Sequence, residues 1–159
     1  MRFIDQRILA VLALSMFVAA PSHAAPAQGA CSLLTRDEVK PFAGGSPVFD
    51  MLPPEEEPSG RGTACNYGGG VIYMQLDPFA FSTLDAERSK AGANFEAVPG
   101  VGDAAYAREN ARSDDAEIYF RVGQRVVTIQ MNIAPGQTYA TVKPRMVGLA
   151  QALAAKLRR

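Results

Sequence analysis

Two cysteines, Cys31 and Cys65, are the feature that most limits the folds open to this chain of 159 residues. A bond between them would close a loop of about 35 residues, which on the chain-entropy model stabilises a fold by roughly 4 kcal/mol. Such a bond persists in an oxidising compartment and is rare in the cytosol. The compartment therefore decides how the two cysteines are interpreted.

The N-terminus has the pattern of a secretory signal peptide. Arg2 and Arg7 lie beside an apolar run over 8–20, and the small residues Ser22 and Ala24 follow it, as signal peptidase requires. We expect cleavage after Ala24, so that 1–24 is a signal peptide, 25–30 a flexible leader and 31–159 a single α+β domain, periplasmic or secreted. The apolar run is shorter than the roughly 20 residues of a spanning helix, so we expect no stable membrane span.

Cleavage would also remove His23, the single histidine of the chain. The 135 residues that remain of 159 would lack the imidazole on which Ser-His-Asp and Cys-His nucleophiles and most catalytic zinc sites depend.

Without Arg2, Asp5 and Arg7 the chain keeps 14 basic and 15 acidic side chains, a net charge of about −1. Such a balance gives no electrostatic footprint for nucleic acid or for an anionic membrane.

Cys31 has four conceivable roles: lipid anchor, nucleophile, metal ligand or half of a disulfide. A lipid anchor needs a leucine-like residue three places earlier, where the chain has Gln28. A nucleophile would lack an activating histidine, and two cysteines alone make a poor metal site. An even cysteine count in an exported chain favours a disulfide between Cys31 and Cys65.

The local patterns of the first half mix helix and strand signals. They first predict a short helix from the Thr35–Glu38 capping box to Gly44-Gly45, and then a strand over 47–52. A proline- and glutamate-rich loop that cannot pack is predicted over 53–62. Strands over 63–67 and 71–76 around a glycine turn follow, and then a helix over 84–94 capped by Ser82 or Thr83.

The second half has the clearer patterns. Strands are predicted over 104–109, 116–122 and 125–133, and Gly123-Gln124 suits a type II′ hairpin turn between the last two. A closing helix over 141–157, with Pro144 in its first turn, has apolar residues at helical spacing. We predict an α+β fold with an antiparallel sheet of about six strands, in two helix-plus-three-strand halves, with helices packed on it and a C-terminal helix.

Several stretches together resemble a family of small exported proteins and lipoproteins of unknown function that is common in actinobacteria: "CSLLTRDEV", "TACNY", "VPGVGDAAYA", "VGQRVVTIQM" and "LAQALAAKL". The resemblance spans most of 31–157. It implies an envelope or secreted location, a Cys31–Cys65 pair and an α+β sheet fold, but no activity. The chain departs from the lipoprotein members by lacking a convincing lipobox.

The candidate sites are few. Phe79 and Phe81 in "DPFAF" fall in a predicted loop, where exposed aromatic side chains would suggest a contact surface. Tyr73 and Asp103 complete the candidate binding residues, although the 98–103 stretch is better explained as a tight turn than as a phosphate loop, since no lysine follows it. No catalytic or metal-binding residues are assigned, and no cofactor is expected.

Two other patterns favour structural roles. The acidic runs at 55–57 and 114–115 lack the alternating spacing of a calcium loop, and Met51, Met74 and Met131 are more typical of core filler than of a copper site. We predict a non-enzymatic exported domain that binds a protein or small ligand of the cell envelope through the sheet face or the 77–83 and 53–61 loops. The alternative is a histidine-free hydrolase of a cell-wall polysaccharide that uses two carboxylates.

Overall fold

A computed structural model describes residues 29–90 and 94–159. The predicted signal peptide and most of the predicted leader lie outside the described residues. Ala30, the last residue of the predicted leader, opens the first helix and is fully buried.

The described chain contains five α-helices, a 3₁₀ turn and seven strands. They are α1 (Ala30–Leu33), α2 (Arg36–Val39), the 3₁₀ turn (Lys40–Phe42), α3 (Pro47–Met51), β1 (Glu55–Ser59), β2 (Gly62–Tyr67), β3 (Ile72–Leu76), α4 (Phe81–Arg88), β4 (Glu96–Ala97), β5 (Ala104–Asn110), β6 (Asp115–Val122), β7 (Arg125–Asn132) and α5 (Tyr139–Leu157).

All seven strands form one antiparallel sheet in the order β1-β2-β3-β7-β6-β5-β4. Two meanders, β1–β3 and β4–β7, meet where β3 pairs with β7, with Ile72 opposite Met131. The α+β class and the antiparallel sheet are therefore confirmed. The strand count is seven rather than about six, because β1 and the two-residue β4 were not predicted, whereas one predicted strand, over 47–52, is a helix.

The core lies between one face of the sheet and the helices. In α5 the residues Val142, Met146, Leu149 and Leu153 are each at most 1% exposed, and this helix packs on β6 and β7. The first helix, α1, packs on the other half of the sheet, β1–β3. A disulfide joins Cys31 in α1 to Cys65 in β2, so the predicted pairing ties the first helix to the sheet.

Two local predictions are confirmed in detail. Thr35 and Glu38 form the predicted capping box at the start of α2, which satisfies two backbone donors that a helix end leaves free. Gly123 has φ of +60° between β6 and β7, which close on the Val122–Arg125 pair. A positive φ at the first central residue but not at the second, Gln124, distinguishes a type II′ turn from a type I′ turn.

The strand predicted over 47–52 is wrong, because Pro47–Met51 is helix α3. Proline at the first helical position has a φ already suited to a helix, and a short apolar run cannot be assigned by periodicity alone. The loop predicted over 53–62 is also wrong, because 55–59 forms β1. Its Pro58 is tolerated since β1 is an edge strand, where a missing N–H leaves no partner unpaired.

Two helix starts differ from the prediction. Helix α4 spans Phe81–Arg88 rather than the predicted 84–94, and it begins after Ala80, which offers no side-chain cap, rather than after Ser82 or Thr83. Helix α5 begins at Tyr139, so Pro144 is its sixth residue and lies beyond the first turn. Proline at this depth removes one hydrogen bond of the helix.

Candidate functional site

The outer face of the sheet, opposite α1 and α5, carries a layer of aromatic rings. Residues 77–88, which include α4, and Phe95 cover β5 and β6 there. Phe79 lies 6.2 Å from Tyr119, Phe81 lies 6.1 Å from Tyr106, and Phe95 meets Tyr119 edge-on at 5.7 Å between ring centroids. These separations are those of favourable aromatic pairs. Phe79 and Phe81 are therefore half-buried rather than freely exposed.

Arginine side chains alternate with these rings. The guanidinium of Arg88 lies 3.3 Å from the centroid of Tyr106, and that of Arg108 lies 4.7 Å from the centroid of Phe95. Arg121 lies 5.3 Å from the centroid of Phe81. Such cation–π contacts hold an arginine in place while its N–H groups stay available to donate hydrogen bonds.

Glu117 on β6 is buried at the base of this layer, with 2% of its surface exposed. Its Oε2 accepts hydrogen bonds from Arg108 Nε and from the Tyr119 hydroxyl, both at 2.6 Å. Its Oε1 accepts from Asn110 at 2.9 Å and from Gln130 at 3.4 Å. The carboxylate is paired and fully hydrogen-bonded, as a buried charge must be.

These contacts fit Glu117 for holding the layer rather than for transferring a proton. Burial, and then the hydrogen bond to Glu117, raise the pKa of the Tyr119 hydroxyl, so this phenol stays neutral at physiological pH. The neighbouring Thr128 on β7 has a buried hydroxyl for which the described residues supply no hydrogen-bond partner.

Beside the aromatic layer lies an open cleft of about 580 Å³, which we call the arginine cleft. Arg61, Arg121, Phe79 and Phe81 line it together with Asp77. Asp77 accepts hydrogen bonds from Arg125 Nε at 2.6 Å and from the Val126 N–H at 2.8 Å. The negative charge of Asp77 is thus offset, and the cleft is left with the positive charges of its two arginines.

A different surface lies on and directly after α3. Val48, Met51 and Leu52 expose 43%, 75% and 45% of their surface and are the exposed large hydrophobic residues of the described chain. We call them the α3 patch. Clustered exposed apolar side chains mark contact surfaces more often than scattered ones do.

The remaining predicted candidates lie elsewhere. The Tyr73 hydroxyl donates to Glu57 at 2.8 Å across the outer face of the first meander. Asp103 accepts from the Gly123 N–H at 2.7 Å, and this bond, with Arg158 beside it, holds the pKa of Asp103 below its usual range. Asp103 thus ties the turn before β5 to the β6–β7 hairpin, in keeping with the predicted tight turn. The structure brings Phe79 and Phe81 together but not these two residues with them.

The usual metal-ligating side chains are not grouped into a site in the part of the chain that the structure describes. No three His, Cys, Asp or Glu side chains are grouped there so as to hold a metal ion. Met74 and Met131 are buried in the core, whereas Met51 belongs to the α3 patch. The acidic run 55–57 lies in β1 rather than in a loop.

Comparisons with protein-family models, with curated proteins and with solved structures find no match for this chain. Among residues 29–90 and 94–159, no helix is both long and apolar enough to cross a membrane. The candidate surfaces must therefore be judged by their own chemistry.

Sequence reasoning missed three of these features. The α3 patch was hidden because 47–52 was predicted to be a strand, in which alternate side chains would face the core. Arg61 and Arg121 were not singled out, since nothing in the sequence places the β1–β2 turn next to the end of β6. One signal for Glu117 was available: it shares the outer face of a predicted strand with Tyr119 and Arg121 at a spacing of two.

Proposed function

We propose that this protein is an exported, non-enzymatic domain whose α3 patch binds a basic, partly apolar segment of another envelope protein. The observation that carries the proposal is the clustering of Val48, Met51 and Leu52 on a single surface. Leaving three large apolar side chains in water forgoes the free energy that burying them would release. Burial against a partner would recover that free energy.

Helix α3, which carries most of the patch, is held in place by contacts with the rest of the chain. Phe49, on the same helix, is 1% exposed. Arg36 donates a hydrogen bond to the Phe49 carbonyl and lies 5.6 Å from the Phe49 ring centroid. Lys40 pairs with Asp50 at 2.8 Å. A surface that is already ordered loses little conformational entropy when a partner binds.

The charge beside the patch indicates the sign of the partner. Leu52 is followed by the acidic edge strand β1, with Glu55, Glu56 and Glu57. In the described chain none of the three forms an ion pair with a lysine or arginine. An apolar patch beside unpaired negative charge is complementary to a segment that presents apolar and cationic side chains together.

Further support comes from the disulfide, which agrees with an oxidising envelope compartment. We propose that the chain belongs with the small exported proteins that it resembles, since the disulfide and the α+β sheet are what that resemblance implies. The alternative of a two-carboxylate hydrolase has less support, because among the described residues Asp77, Glu87 and Asp103 each line a separate cleft.

Binding of designed peptides tests the proposal. Short amphipathic helical peptides of leucine with lysine, with glutamine or with glutamate carry the same apolar face and differ in charge. We expect the lysine peptide to bind most tightly, and Met51→Glu to weaken it by at least about 10-fold, the range of a central contact residue. Ala152→Glu is the matched control, because it adds the same charge at an exposed position on α5.

Fluorescence polarisation of labelled peptides gives the affinities. Equal affinity for the three peptides, or equal loss in Met51→Glu and Ala152→Glu, would contradict the proposal. Sedimentation of the free protein provides a second check. A dimer that Met51→Glu dissociates would make the patch a contact between copies of this chain and would overturn the proposed partner.

A further inference from the structure

The arginine cleft is independent of the α3 patch and has the volume of a ligand site. Its volume of about 580 Å³ falls within the range of clefts that hold small molecules. It lies between the β1–β2 turn, the start of α4 and the β6–β7 turn. Three segments distant in sequence thus converge on one opening.

Two cationic groups of the cleft have no carboxylate partner among the residues that the structure describes. Neither Arg61 nor Arg121 takes part in an ion pair there. The acidic residue of the cleft, Asp77, is already engaged by Arg125 and by the Val126 N–H. Two guanidinium groups facing one cleft favour an anion, since their N–H groups match the oxygens of a phosphate or carboxylate.

The walls of the cleft are held in place before any ligand binds. Asp77 has φ of +53°, an uncommon value for a residue other than glycine, and its N–H donates to the Val126 carbonyl at 2.7 Å. The Arg61 N–H donates to the Pro78 carbonyl at 3.3 Å. Gly60 allows this approach, since a Cβ there would lie 2.2 Å from the Pro78 oxygen.

The apolar part of the cleft is aromatic. Phe79 and Phe81 line it, and each is fixed against a tyrosine of the sheet. Arg121 lies over the Phe81 ring at 5.3 Å, so a cationic group and a flat apolar surface are adjacent. A flat apolar group could stack on the rings while its anionic substituent meets the arginines.

We propose that the arginine cleft binds a small organic anion, a phosphate or carboxylate carried on a flat apolar group. Arg61 and Arg121 bind the anionic substituent, and Phe79 and Phe81 contact the flat part. The two guanidinium groups attract the anionic substituent, and the rings favour ligands with a flat apolar part. The site shares no residue with the α3 patch, so either can fail without the other.

Calorimetry with a matched set of probes tests this proposal. 1-Naphthyl phosphate and 1-naphthoate carry charge and ring, inorganic phosphate carries charge alone, and 1-naphthol carries the ring with no charge at neutral pH. We expect at least one of the two naphthyl anions to bind, with an affinity at least about 10-fold above that of inorganic phosphate and of naphthol, and to weaken as salt rises.

Variants assign the binding to the cleft. Arg61→Gln and Arg121→Gln should each weaken the bound naphthyl anion by about 10-fold, as loss of a charge-assisted hydrogen bond does. Arg112→Gln, at an exposed turn away from the cleft, is the matched control and should leave the affinity unchanged. The relative affinity of the two naphthyl anions identifies which anionic group the arginines prefer.

Three results would overturn the proposal: no binding of either naphthyl anion, equal affinity for inorganic phosphate and the naphthyl anions, or equal loss in all three arginine variants. Far-ultraviolet circular dichroism of each variant shows whether it folds. Met51→Glu at the α3 patch should leave naphthyl-anion binding unchanged, which separates the two sites.

Discussion

Reducing the Cys31–Cys65 disulfide should destabilise the protein by an amount set by the closed loop. The two cysteines are 34 residues apart in sequence, and the chain-entropy model gives a loss of about 4 kcal/mol for a loop of this size. Domains of this size typically have a free energy of unfolding of about 5 to 15 kcal/mol. The loss is therefore a large share of the total, and it corresponds to a fall in Tm of roughly 10 to 20 °C.

Urea denaturation of the oxidised and reduced wild-type protein measures this loss. Reduction keeps both sulfur atoms, whereas substitution also removes packing around Cys65, which is fully buried. Comparison of the two redox states therefore isolates the covalent link. Since the link acts on the unfolded chain, the denaturant m value should rise on reduction as the unfolded state exposes more surface.

The Cys31→Ala/Cys65→Ala double variant is the control, because a reductant should leave its midpoint unchanged. The reasoning would be refuted if reduction lowered the stability of the wild-type protein by less than about 1 kcal/mol, well below the loop-entropy value. It would also be refuted if both thiols of the unreduced protein reacted with an alkylating reagent.

Three further predictions concern single residues. Replacing Glu117 by alanine should cost about 3 to 5 kcal/mol in urea denaturation, since it leaves its arginine partner half-buried and unpaired; an unchanged midpoint would contradict this. Hydrogen bonds from Lys156 and from the N-cap of α2 lower the pKa of Glu38 from 4.5 to about 2, so its stabilisation is complete above pH 4.5 and lost as the pH falls through 2. The difference in Tm between wild type and Glu38→Gln should accordingly close over that window, and a constant difference would argue against the pairing. Gly102→Ala should cost about 1 to 3 kcal/mol, because Gly102 has φ of +58° and an added Cβ would lie 2.2 Å from the Arg121 carbonyl oxygen; a Tm equal to that of wild type would show that the turn can relax.

The elements predicted correctly are those whose signals are local. The Gly123-Gln124 turn and the apolar face of α5 are specified by neighbouring residues alone, so sequence patterns are sufficient for them. The strand β1 is different, since its "EEEPS" sequence has low strand propensity and forms a strand because β2 offers it a free edge. That partner lies beyond the turn, where local patterns carry no information about it.

The candidate site residues also divide into those with a local sequence signal and those that depend on distant parts of the fold. Phe79 and Phe81 are candidates from the sequence because an aromatic pair in an irregular stretch is visible there. Their half-buried state depends on Tyr106 and Tyr119, which the sheet brings from later strands. The exposure of Met51 was not predictable, because whether a helix face is covered depends on every other element of the fold.

The order of the strands in the sheet also determines when each strand can pair as the chain is synthesised from its N-terminus. The inner edge of β3 stays unpaired until β7 arrives, since Ile72 meets Met131 in the finished sheet. The glutamates and the proline of β1 disfavour pairing of the outer edge of this meander with another chain. The edge of β3 has no such protection until β7 is present. An incomplete chain that stops before residue 125 therefore exposes an apolar strand edge, which makes it prone to aggregate or to need a holding chaperone.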